Sequence, residues 1–81
     1  MEPRLILVTW RDPTSYGGWQ ATSLALKAAI CLSVGWELGE NGDGDVILAA
    51  TRQDNDFGDI SPIPRCLITE IITLDKDRRN Q

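Results

Sequence analysis

Aromatic and arginine side chains are the residues of this chain best suited to recognition. Trp10 stands directly before Arg11, Tyr16 and Trp19 bracket a Gly-Gly pair, and Arg65 follows Pro64. A ring face stacks on a planar base and a guanidinium makes forked hydrogen bonds to a phosphate, so a pocket of Trp10, Arg11, Tyr16, Trp19 and Arg65 would suit a nucleotide-like small molecule. The bland alternative is that these rings fill a small core or a subunit interface. Catalysis has far less to draw on. There is no histidine, and Cys31 and Cys66 sit in apolar runs, so a nucleophile–base pair has almost no material and no catalytic residue is expected.

Carboxylates are plentiful, with Glu37, Glu40, Asp43, Asp45, Asp54, Asp56 and Asp59 in a stretch whose one base is Arg52. Exposed turn acids are usually just solvated; taken together they form an expected acidic interaction surface. The segment Glu40-Asn41-Gly42-Asp43-Gly44-Asp45 interleaves oxygen side chains and glycine as calcium loops do. Strands rather than helices flank it, so a hairpin turn is the expectation, with no metal and no cofactor.

With 81 residues there is room for one domain, 1–81, with an ordered core over 4–74 and a frayed polar tail over 75–81. A chain of this size buries only about 60–65% of its unfolded surface, so it needs a disulfide, a metal or a partner copy. The two cysteines match no zinc spacing, and MEPRLILVTW does not read as a signal peptide. A reducing cytoplasm with free, partly buried thiols follows, and by elimination a homo-oligomer. No apolar run is long enough to span a membrane. Twelve acidic against eight basic side chains, a net charge of −4, argue against a nucleic-acid coat.

The elements that would position these residues are mostly strands. Arg4 to Arg11 is the first, apolar on both faces. Asp12 to Gly18 is a loop, and QATSLALKAA a short helix capped by Thr22 or Ser23. In Ile30 to Leu38 the large apolar residues, Trp36 among them, take the even positions, which predicts an even-numbered core face. A glycine-rich turn leads to the third strand, Val46 to Thr51. Gln53 to Asp59 reads as a surface loop pinned by Phe57, Ile60 to Arg65 as a short edge strand with prolines, and Leu67 to Leu74 as the last strand. The sum is a mainly β protein, a five-stranded antiparallel SH3-like or Sm-like small barrel with one short helix after the first strand. An open sheet with the helix on one face is the runner-up.

LVTWRD, CLSVGWELGE, DVILAATRQ and DISPIPRCLITEI together resemble small proteins encoded by bacteriophages and prophages, from Leu5 to Leu74. Ser33-Val34-Gly35-Trp36 and Ile63-Pro64-Arg65-Cys66 are the most specific pieces. The resemblance implies a phage origin, in the host cytoplasm, and no reaction. A non-enzymatic, homo-oligomeric binding protein that sequesters a nucleotide-like signal of host defence is the first expectation. The second is a regulator or structural protein that offers its acidic face to a host protein, as inhibitor or DNA mimic. An Sm-like RNA binder is third, since the negative charge makes nucleic acid an unfavourable partner.

Overall fold

The computed structural model describes residues 2–13 and 27–74, where the apolar segments are strands. β1 (Leu5–Asp12), β2 (Ala29–Glu40), β3 (Asp45–Gln53), β4 (Asp56–Pro64) and β5 (Ile68–Thr73) form one antiparallel sheet in the order β4-β3-β2-β1-β5. A 3-10 turn, Arg65–Leu67, joins β4 to β5. Most of the expected helix lies outside the described residues; of its last three positions, Lys27 and Ala28 are not helical and Ala29 opens β2.

Asn41 builds the β2–β3 turn. Its side-chain oxygen accepts hydrogen bonds from the backbone N–H of Asp43 at 3.0 Å and of Asp45 at 2.9 Å, while its amide group donates to the Asp45 carboxylate at 2.9 Å. Gly44, at φ 84°, supplies the left-handed position that the reversal needs. The expected loop over Gln53–Asp59 is instead a second hairpin. Gln53 pairs with Asp56 around Asp54, which takes φ 55°, a conformation aspartate tolerates better than most residues. Arg52 donates from Nε to the Asp54 carbonyl at 2.8 Å and lies 5.3 Å over the Phe57 ring. β4 therefore starts at Asp56; it is an edge strand as expected, but nine residues long rather than short.

The core lies on the face of β2 opposite to the one expected. Ile6, Val8, Val46, Leu48 and Ile63 are buried in one cluster, with Trp10, Ile68 and Ile71 packed against it. The register sets Ile6 opposite Gly35 and Val8 opposite Ser33, so the odd positions of β2 face this cluster. Ile30, Leu32 and Val34, on the even face, are 64%, 68% and 52% exposed. Size explains the reversal. Bulky side chains from β1 and β3 fill the inner face, and β2 must present small residues there. A Cβ on Gly35 would stand 2.5 Å from the Ala49 carbonyl oxygen and 2.9 Å from Leu48 Cγ.

The sheet curls without closing into the expected barrel. Pro64 pairs with Asp45 and Ile68 with Trp10, and the four steps of chain from Pro64 to Ile68 span only about 14 Å at full stretch. The two ends of the sheet are thereby drawn across the inner face, which brings Ile63 to Ile6 and Val8. No ladder joins β4 to β5, and Pro62 and Pro64 lack the N–H groups one would use.

Candidate functional site

β2 and β3 pair over only part of their length. Their register runs from Trp36 opposite Ala49 to Glu40 opposite Val46, with a bulge between Glu37 and Gly39. Among the described residues, β2 before Trp36 pairs with β1 alone, and β3 after Ala49 pairs with β4 alone. A cleft of about 370 Å³ opens where the two strands part. Trp10, Ser33 and Val34 line the β1–β2 side. Leu48, Ala50, Ser61 and Ile63 line the other, which Asp59 and Pro62 complete.

The Trp10 indole N–H donates to the Ser33 hydroxyl at 3.0 Å, a part-buried diagonal pair on the inner face. It fixes the ring as one wall. Ser33→Ala is expected to cost about 1 kcal/mol by stranding the indole N–H, and to raise the mobility of the ring in fluorescence anisotropy; an unchanged unfolding midpoint and anisotropy would count against this role. Opposite, Asp59 holds φ 51° and accepts a hydrogen bond from the Thr51 hydroxyl at 2.7 Å. The walls are thus mostly apolar, with hydroxyls and one carboxylate. No lysine or arginine lines the cleft among the described residues.

The sequence-expected site is dispersed. Trp10 lines the cleft, but Arg11, its neighbour in the strand, points to the outer face opposite Ile30. Arg65 is ion-paired with Glu40 beside the β2–β3 turn. Tyr16 and Trp19 lie outside the described residues. Trp36 stands on the outer face opposite Leu5, half-buried, its ring 6.5 Å from that of Phe57.

The acidic surface is divided as well. Glu40, Asp43 and Asp45 lie in or beside the turn before β3, and Asp54 and Asp56 in or beside the turn after it. Nine extended residues separate these turns by about 30 Å. Glu37 accepts a hydrogen bond from Arg4 Nε at 2.6 Å; this bond and the carboxylate charge raise the Arg4 pKa further. Arg52 pairs with Glu2 across the sheet, and that hydrogen bond raises its pKa too. Cys31 is half-buried on β2, whereas Cys66 is exposed on the 3-10 turn rather than in a strand.

No protein family, curated protein or solved structure matches the chain. The site is therefore read from its own geometry. Sequence reasoning missed Ser33, Ala50, Ser61 and Pro62, which carry no motif. Their signal was indirect: the small residues at positions 31, 33 and 35 mark the β2 face that other strands pack onto. Among the described residues no group of three or more metal-ligating side chains gathers, and no helix is long and apolar enough to cross a membrane.

Proposed function

We propose that this chain is a non-enzymatic binding module whose cleft takes an extended, mainly apolar segment of a protein partner, with one basic side chain directed at Asp59. The observation that carries this reading is the parting of β2 from β3. Among the described residues, each wall of the cleft ends in a strand edge with no strand neighbour on that side, and such an edge accepts an extended peptide through main-chain hydrogen bonds. Between the edges, Trp10, Leu48 and Ile63 offer apolar surface. The Asp59 carboxylate and the net charge of −4 favour a cation in the segment.

A nucleotide-like ligand, the first expectation from sequence, is less well supported. Its phosphates would meet Asp59, while Arg11 faces outward and Arg65 is held by Glu40. On this reading the partner is a protein, and the resemblance to phage-encoded chains would make it a host protein of the bacterial cytoplasm. The fold class that best fits is an opened SH3-like one: a four-strand meander, a 3-10 turn, and a last strand returning to β1.

Amide chemical-shift mapping tests the proposal. Eight-residue peptides of alternating valine and threonine with a single lysine are expected to shift the amides of Trp10, Ser33, Ala50 and Ser61. Asp59→Asn should weaken binding about fivefold and flatten its salt dependence, and Ala50→Trp, which fills the cleft, should abolish it. Binding of cyclic dinucleotides or ADP-ribose derivatives at the same amides, with none of the peptides, would overturn the peptide reading.

A further inference from the structure

We propose that the outer face of β5, β1 and β2 is a homodimer interface, two copies packing sheet against sheet. This surface meets the cleft of the function proposed above only at Val34; Trp10 and Ser33, the other cleft residues of β1 and β2, stand on the inner face.

The register places the outer-face residues in rows. Ile72, Leu7 and Val34 form one row across three strands, Glu70, Thr9 and Leu32 the next, and Arg11 with Ile30 a third. Leu5 opposite Trp36 makes a fourth. Ile30, Leu32, Val34 and Ile72, four of the most exposed large apolar residues described, all stand on this one face. An apolar face of this kind on a soluble domain marks an interaction surface.

A second copy of the chain is the occupant that fits. The ten positions of these rows, each covering about 4.8 by 6.8 Å, make a plane of roughly 330 Å² per copy and about 650 Å² per pair. The relief of the side chains raises the buried area above that of the plane, towards the roughly 1,000 Å² at which specific interfaces begin. The two charged residues of these rows, Arg11 and Glu70, have opposite signs, so two copies can meet without a like-charge conflict.

Sedimentation equilibrium of the full chain, from low micromolar to several hundred micromolar, tests the proposal. The parent is expected to be a dimer in the upper part of that range. Leu32→Glu is expected to raise the dissociation constant about 100-fold, and Ile72→Lys, at the other side of the patch, to do the same. Both positions are exposed in the monomer, so circular dichroism should show both variants folded. Gln53→Glu, away from the patch, should leave the dimer intact. A parent that stays monomeric throughout the range, or an assembly of any size that survives both patch substitutions, would overturn the proposal.

Discussion

Gly35→Val is expected to prevent the native sheet from forming, and Gly35→Ala to cost about 1–3 kcal/mol of stability. A side chain at this position meets backbone, which cannot rotate away: the added Cβ would lie 2.5 Å from the Ala49 carbonyl oxygen and 3.1 Å from its carbonyl carbon. Leu48 Cγ, at 2.9 Å, closes another direction. Relief requires β3 to move away from β2, and β3 carries Val46 and Leu48, two members of the core cluster. The damage should therefore be cooperative. Urea unfolding followed by tryptophan fluorescence measures it directly, with the alanine variant shifted to a lower midpoint. An alanine variant within 0.5 kcal/mol of the parent, about the scatter of surface substitutions, would show that the two strands do not approach so closely.

Ile6→Ala is expected to cost about 3 kcal/mol. Ile6 is completely buried and packs among residues of β1, β3 and β4, so the lost methylenes leave a cavity that three strands cannot easily close. Leu32→Ala removes a similar volume from the outer face, where Leu32 is 68% exposed. Measured at a dilution where the chain is monomeric, it should cost no more than about 0.5 kcal/mol. The contrast between the pair is the diagnostic. Equal losses in the two variants would restore the even-numbered face of β2 to the core.

That face is where sequence pattern misleads most. Alternation showed that positions 30 to 38 are extended, and hydrophobicity then assigned Ile30, Leu32 and Val34 to the interior. Burial depends on what the neighbouring strands place opposite. Ile6 and Val8 of β1 and Leu48 of β3 occupy the inner layer, so β2 contributes the small residues Ser33 and Gly35 there. Size complementarity across strands outweighed the hydrophobicity of one strand, and no reading of β2 alone contains that information.

The second hairpin was hidden for a different reason. Gln53 to Asp59 is polar enough to look like a loop, yet a two-residue turn at Asp54 and Asn55 suffices to reverse the chain. Phe57 does pin this region, lying beneath Arg52 and tilted at 59° to the Trp36 ring. The acidic stretch shows the same limit. Glu37 to Asp59 is one block in sequence, but β3 runs through it and sets its two turn clusters at opposite ends of a strand.

Local chemistry alone determined the five extended segments, the Asn41 turn, the edge position of the proline-containing strand and the strand that ends the described chain. Each follows from residue types within a few positions, through backbone preference and turn geometry. Tertiary structure alone decided which face of β2 is buried, that the sheet stays open between β4 and β5, and that Trp10 meets Ser33 while Arg11 and Arg65 go elsewhere. Those outcomes depend on register and on the parting of β2 from β3, pairings between residues far apart in the chain, for which a single strand holds no record of its partner.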